Sequence, residues 1–147
     1  FPLVASYIFE GVFERFPDLK IVLIELGWSW AVPLAWRLDA AYRVMGEEVP
    51  DLTRKPSEYL RDHFWFGTQP MEEPEEDAHL DEVLETFYEA GFGDHLMYAS
   101  DYPHWDLDEI AALPASLSVE RRAAILGGTA SELYGIDLIP GQGYVVR

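Results

Sequence analysis

The chain has 147 residues, 49% of them hydrophobic, which is enough for one compact domain with a hydrophobic core. Its 27 acidic and 10 basic residues give a formal net charge of -17, so we expect neither nucleic acid nor an anionic membrane as a partner. The lack of cysteine excludes disulfides and thiolate metal sites, and no apolar run reaches the roughly 18 residues of a transmembrane helix. We therefore expect a soluble, cytoplasmic protein with a single domain over residues 1–147.

The first half of the chain predicts alternating helices and strands. Apolar residues recur at three- and four-residue spacings over residues 3–16, which predicts an amphipathic helix that Pro17 ends. Residues 21–24 form a continuous apolar run rich in β-branched residues, as expected for a strand buried on both faces. A further helix is predicted over residues 33–45, and Gly46 closes it.

The same alternation continues in the second half. Aromatic residues predict a strand over residues 64–66, which follows a short helical turn beginning at Pro56. Apolar spacing predicts a helix over about residues 77–90, and a third strand is predicted over residues 96–99. Pro103 prevents this strand from continuing.

The last third predicts short helices and a tail. Residues 107–113 are predicted to form one helix, and Ser118 is a candidate N-cap for another over residues 119–126. Thr129 and Glu132 have the spacing of a capping box for a final helix that Gly135 ends. Residues 138–147 are expected to be a tail, with residues 141–147 either disordered or an edge strand.

Alternating helices and strands predict an α/β fold with parallel strands and right-handed crossovers. Because the carboxyl ends of parallel strands meet at one edge of a sheet, the residues that follow the strands are expected to converge there. Those residues are Glu25 after the first strand, Thr68 and Gln69 after the second, and Ser100 and Asp101 after the third. The sequence therefore predicts a functional site at this edge.

Asp101 is the principal candidate for chemistry at that edge. A coordinated carboxylate can act as an oxygen ligand of a divalent ion and as a proton-transfer group. The alternative is that Asp101 caps the turn before Pro103, because Asp often accepts hydrogen bonds from backbone amides two residues on. The residues alone favour the two roles about equally.

The other candidates also have two interpretations each. His104 could bind substrate or shuttle a proton, or it could be an ordinary loop histidine. Glu25 could bind a metal ion, or it could form a salt bridge with Arg37. Trp28 could line a pocket, or it could pack in the core beneath its loop. His63, His79 and His95 are interpreted as structural or solvent-exposed.

Four ordered motifs resemble the carboxyl-terminal half of the amidohydrolase-related metal-dependent hydrolases. This branch of the amidohydrolase superfamily also includes aminocarboxymuconate-semialdehyde and resorcylate-type decarboxylases. The resemblance spans about residues 9–137. The motifs are FERFPDLKIVLIELGWSWAVPLAWRLD, KPSEYLRDHFWFGTQP, LMYASDYPHWD and ILGGTASELYGI.

The resemblance implies a (β/α)8 TIM barrel with one divalent ion, usually zinc, at the carboxyl ends of its strands. The three strands found here would be the last three of the eight. Asp101 matches the family's metal-binding and proton-transferring aspartate, and His104 in the same motif would lie close to the substrate. The family's His-x-His pair has no counterpart in this sequence, and Glu25 stands where the family often has a histidine.

These features lead to three functional hypotheses. The first is a metal-dependent hydrolase of amides or esters, with Asp101 and Glu25 binding the ion and His104, Trp28 and Gln69 contacting a small-molecule substrate. The second is a non-oxidative decarboxylase of an aromatic or unsaturated acid, and the third is a non-catalytic barrel fragment. A complete barrel needs about 250 residues, and the chain begins with Phe1, so we expect a fragment that needs the missing amino-terminal half or further copies of itself.

Overall fold

The computed structural model describes residues 1–139 and 143–146. Its central sheet has three parallel strands in the order β1, β2, β3, which is also their order in the chain. The strands are β1 (Ile21–Leu23), β2 (Phe64–Gly67) and β3 (Leu96–Met97). Helices connect them, so the predicted α/β fold with parallel strands is confirmed.

The α-helices are α1 (Pro2–Phe9), α2 (Val12–Arg15), α3 (Ala31–Met45), α4 (Pro56–His63), α5 (Asp77–Glu89), α6 (Val119–Ala123) and α7 (Thr129–Tyr134). Apart from α2, each α-helix begins close to a position that the sequence predicts, although α6 ends at Ala123 and not at residue 126. Over residues 1–139 and 143–146, the α-helices lack the combination of length and apolar composition that a transmembrane span requires.

Before residue 106, two predicted elements differ in extent from the predictions. The helix predicted over residues 3–16 is split into α1 and α2, because Gly11 adopts a left-handed conformation with φ 63°. The third strand ends at Met97 instead of Ala99. The amide of Tyr98 donates to the carbonyl of Ile125, in the segment that follows α6, at a distance of 2.8 Å.

The region after residue 106 differs more from the predictions. Only a 3-10 turn, Ile110–Ala112, forms where a helix over residues 107–113 was expected. Ser118 caps α6 as predicted, accepting a hydrogen bond from the amide of Arg121, and Gly135 ends α7 with φ 63°. The capping box at Thr129 does not form, because a π-helical segment, Ala124–Gly128, runs directly into α7.

The end of the chain forms a two-stranded antiparallel hairpin. Strand β4 (Ile136–Ile139) pairs with β5 (Gly143–Val146), and this hairpin is separate from the central sheet. Strand formation agrees with one of the two alternatives predicted for residues 141–147. Gly141, Gln142 and Arg147 in that range lie outside the described residues.

The hydrophobic core is built around β2, which is buried at all four positions, whereas β1 is only partly buried and not buried on both faces as the sequence predicts. Phe64 and Phe66 of β2 are fully buried, and Phe66 packs edge-on against Phe87 of α5 with ring centroids 5.5 Å apart. His63 stacks on Phe13 at 4.1 Å, and its Nδ1 lies 2.8 Å from the carbonyl oxygen of Leu19. His63 is therefore structural, as predicted.

Candidate metal centre

The structure brings three side chains together at the carboxyl edge of the sheet. They are Glu25, two residues after β1, and Asp101 and His104 in the loop after β3. One ligand atom from each lies within 4.8 Å of the ligand atoms of the other two. These residues form the candidate metal centre.

Asp101 and His104 are paired directly. His104 Nδ1 lies 2.9 Å from Asp101 Oδ2, and a backbone turn with the His104 amide donating to the Asp101 carbonyl, also 2.9 Å, brings the two residues together. Asp101 has 12% of its side chain exposed, whereas His104 has 62% exposed. A proton on Nδ1 therefore points at the carboxylate, and the Nε2 edge of the ring is available to a ligand.

The hydrogen bonds and ion pairs bear on two structural alternatives, that Asp101 caps a turn and that Glu25 forms a salt bridge with Arg37. The turn before Pro103 is capped by Ser100, whose Oγ accepts from the Tyr102 amide at 3.3 Å. The hydrogen bond that the structure shows for the Asp101 carboxylate goes to His104. Within residues 1–139 and 143–146, Glu25 and Arg37 do not form an ion pair.

Glu25 and Asp101 share an uncommon backbone conformation. Their φ angles are 59° and 57°, and they are the non-glycine residues with positive φ in the described part of the chain. A non-glycine residue in the left-handed region costs about 1–2 kcal/mol. Residues with such strain persist where the surrounding structure holds them, and they cluster at functional sites. Both proposed metal ligands therefore lie on strained backbone.

Thr68 holds the segment that leads to Asp101. It is fully buried, and its Oγ1 accepts a hydrogen bond from the Ala99 amide at 3.1 Å, while its own amide donates to the Met97 carbonyl at 2.8 Å. Its hydroxyl thus replaces a strand partner just beyond β3. The sequence placed Thr68 at this edge but gave no signal of its positioning role.

Trp28 and Gln69 are both buried. Trp28 has 0% exposure and packs edge-on against Phe87 at 5.0 Å, which agrees with the core-packing alternative. Gln69 is 2% exposed, and its backbone carbonyl accepts from the Gly27 amide at 3.4 Å. Their contact with substrate stays a prediction.

Two aromatic residues beside His104 face outward. Tyr102 is largely exposed and Trp105 is 95% exposed, in the loop that carries Asp101. The sequence shows both rings in the motif but does not reveal that they are exposed while Asp101 is largely buried. They provide apolar surface next to the candidate metal centre.

The residues present fit a divalent ion. Two carboxylates and an imidazole are the oxygen and nitrogen donors that zinc and manganese accept in proteins. The two carboxylates alone leave further coordination positions for water or substrate, as in catalytic sites, so His104 can stay off the ion and move a proton. The proximity of the three ligand atoms agrees with one shared ion.

A family model described as amidohydrolase matches residues 1–136 of the chain. The chain belongs to this amidohydrolase family. The resemblance predicted from the four motifs is thereby confirmed, and with it the α/β class. No curated protein matches the chain significantly.

Solved structures resemble this amidohydrolase chain as well. An amidohydrolase from Mycobacterium avium subsp. paratuberculosis K-10 is 25% identical with a TM-score of 0.70, and the match covers 92% of this chain and 32% of that one. The 5-carboxyvanillate decarboxylase LigW from Sphingomonas paucimobilis is 31% identical with a TM-score of 0.68, covering 88% of this chain and 37% of that one.

A third structure shows the same fold at 21% identity. It is a dihydroxybenzoic acid decarboxylase from Polaromonas sp. JS666 with bound manganese and the inhibitor 2-nitroresorcinol; its TM-score is 0.66, and the match covers 88% of this chain and 38% of that one. The amidohydrolase chain thus spans about a third of the length of these structures. Its three parallel strands form part of a barrel.

Proposed function

We propose that this chain carries the metal-binding and proton-transfer groups of an enzyme that decarboxylates an aromatic carboxylic acid without oxidation. The observation that carries the proposal is the Asp101–His104 hydrogen bond beside Glu25 at the carboxyl edge of the sheet. Amidohydrolase family membership and the 31% identity to a 5-carboxyvanillate decarboxylase support it.

Asp101 and Glu25 would hold one divalent ion. The sequence resemblance favours zinc, whereas manganese is the ion bound in the dihydroxybenzoic acid decarboxylase. When bound, the ion supplies a Lewis acid that polarises a substrate oxygen and offsets negative charge. It would also neutralise the two carboxylates, which otherwise repel an anionic substrate.

His104 would deliver the proton. In decarboxylation the bond between the ring carbon and the carboxyl carbon breaks, its electron pair stays on the ring carbon, and a proton must replace the carboxyl group. A protonated His104, held through Nδ1 by the Asp101 carboxylate, can donate its Nε2 proton to that carbon. Its 62% exposure leaves this edge of the ring accessible to a substrate.

The loop around His104 supports an aromatic substrate. Tyr102 and Trp105, which flank His104 along the chain, have exposed rings, and aromatic rings pack favourably against one another. Gln69 and Trp28 remain proposed substrate contacts. Both would reach a substrate only after a rearrangement, because they are 2% and 0% exposed.

Hydrolysis of an amide or ester is the second candidate. The likeness to an amidohydrolase supports it, and a neutral substrate would avoid repulsion by Glu25 and Asp101. In that reaction Asp101 would accept a proton from the attacking water.

We further propose that strands from another chain, or from a second copy, complete the barrel, since the sheet has β1 and β3 at its edges.

The two reactions differ in their products. The protein would be incubated with 5-carboxyvanillate, and separately with amide and ester substrates, in water enriched in oxygen-18 and with Zn²⁺ or Mn²⁺. Decarboxylation releases carbon dioxide and introduces a solvent hydrogen, whereas hydrolysis introduces oxygen-18 into the product. Asp101→Asn should abolish either activity, and Asp106→Asn, an exposed site in the same loop, serves as the control. Activity that survives both Asp101→Asn and chelation would contradict the proposal.

A further inference from the structure

We propose that Asp108 is a positioning residue that fixes Asp101 relative to Glu25. The inference rests on the proposed function, because it concerns the same metal centre. It comes from three hydrogen bonds at the base of the loop over residues 100–108, here called the Asp101 loop. Asp108 takes part in each of the three.

The first two bonds close the Asp101 loop. The Asp108 amide donates to the Ser100 carbonyl at 2.9 Å, which brings the two ends of the loop together. The Asp108 carbonyl accepts from the Tyr98 hydroxyl at 2.7 Å. Tyr98 directly follows β3, so this bond ties the end of the loop to the end of the strand that precedes it.

The third bond joins the Asp101 loop to the segment after β2. Asp108 Oδ2 accepts from the Met71 amide at 2.8 Å, and the Met71 side chain is buried in the core. Two residues earlier, the Gln69 carbonyl accepts from the Gly27 amide at 3.4 Å. Gly27 lies two residues after Glu25. The Asp108 carboxylate therefore begins a short path from the loop of one proposed ligand to the loop of the other.

The Asp101 loop needs such an anchor. Its residues 102–107 are exposed, so core packing does not hold them in place. Side chains that support metal ligands typically contribute tenfold to a hundredfold to metal affinity, because they hold the ligands in a productive orientation. Asp106 lies on the same loop, is exposed, and provides a matched control of the same residue type.

The test measures Mn²⁺ affinity by electron paramagnetic resonance and the visible spectrum of the Co²⁺ form for the wild type, Asp108→Ala, Asp108→Asn and Asp106→Ala. Asp108→Ala should bind Mn²⁺ about tenfold to a hundredfold more weakly and change the Co²⁺ spectrum. Asp108→Asn should be close to the wild type, because the Asn Oδ1 can accept from the Met71 amide. Asp106→Ala should have no effect. Thermal unfolding establishes which variants are folded.

A second readout does not depend on metal. Amide hydrogen exchange at His104 and Asp108, both hydrogen-bonded within the Asp101 loop, should be faster in Asp108→Ala than in the wild type and unchanged in Asp106→Ala. Tyr98→Phe, which removes the hydroxyl bond to Asp108, should also accelerate it and provides a second test if Asp108→Ala does not fold.

The outcomes separate the two proposals. If the wild type binds Mn²⁺ and Asp108→Ala binds it equally well, the positioning role is overturned while the metal centre stands. If the wild type binds no metal, the proposed function fails, and hydrogen exchange alone decides whether Asp108 fixes the loop. Equal exchange in Asp108→Ala, Asp106→Ala and the wild type would overturn that role.

Discussion

Glu25 and Asp101 adopt nearly the same left-handed backbone conformation, with φ angles of 59° and 57°, at the ends of two different strands of one sheet. Neither residue is a glycine, the residue type that adopts this conformation without steric cost. The strain at both positions accompanies the convergence of their carboxylates with His104. Such strain is often found at functional sites, which agrees with the proposed metal centre.

Relieving this strain at Glu25 should have an unusual effect on stability. Glu25→Gly should be more stable than Glu25→Ala by about 1 kcal/mol, because glycine accepts positive φ and alanine does not. At Glu82, an exposed site within α5, Glu82→Ala should instead be more stable than Glu82→Gly by about 1 kcal/mol. Urea unfolding of the four variants tests this. If the Ala variant is more stable than the Gly variant at both sites, the backbone of Glu25 is not strained.

Thr68→Val should weaken both the fold and the metal centre. Valine has nearly the same shape, but it leaves the Ala99 amide without its acceptor, which costs about 1–3 kcal/mol. The control is Thr86→Val on the exposed face of α5, where Oγ1 donates to the Glu82 carbonyl, and we expect a change within about 0.5 kcal/mol. The melting temperature and the Mn²⁺ affinity should both be lower for Thr68→Val than for the wild type. Similar effects at the two sites would refute the positioning role of Thr68.

Glu14 should make stability depend on acid pH. A hydrogen bond from the Tyr59 hydroxyl, together with those from Thr53, lowers the pKa of Glu14 below its usual 4.5. Because the pKa is lowered in the folded state, this stabilisation is present above 4.5 and is lost as the pH falls through the folded-state pKa.

The corresponding measurement is urea unfolding at neutral pH and at about pH 3, below the usual range of a glutamate. Glu14→Gln should lose less stability on acidification than the wild type. Glu47→Gln, at an exposed site, should lose as much as the wild type. The linkage would be disproved by identical pH dependence in all three proteins.

The sequence predicted the sheet well because its strands have clear local signals. The apolar run around Val22 and the aromatic run around Trp65 lie in strands within one residue of their predicted bounds. Placing Asp101 and Glu25 at one edge followed from parallel strand order alone. Residue type and chain topology therefore determined the location of the candidate site.

What the sequence missed depends on local backbone conformation and on contacts between distant residues. The split of the first helix depends on the left-handed conformation of Gly11, which residue spacing does not reveal. Strand β3 is short because the Tyr98 amide donates its hydrogen bond to the carbonyl of Ile125, which lies 27 positions later in the chain. For Trp28 the sequence left two alternatives open, and the choice of core packing against Phe87 depends on how α5 packs.

The most direct test of the central claim is a calorimetric titration of the metal-free protein with Zn²⁺ and with Mn²⁺. We expect one ion per chain, with Asp101→Asn and Glu25→Gln each weakening its affinity by more than about tenfold. Asp106→Asn, in the same loop but outside the cluster, should bind as the wild type does. A wild type that binds neither ion, or an Asp101→Asn protein of undiminished affinity, would contradict a metal centre at Glu25 and Asp101.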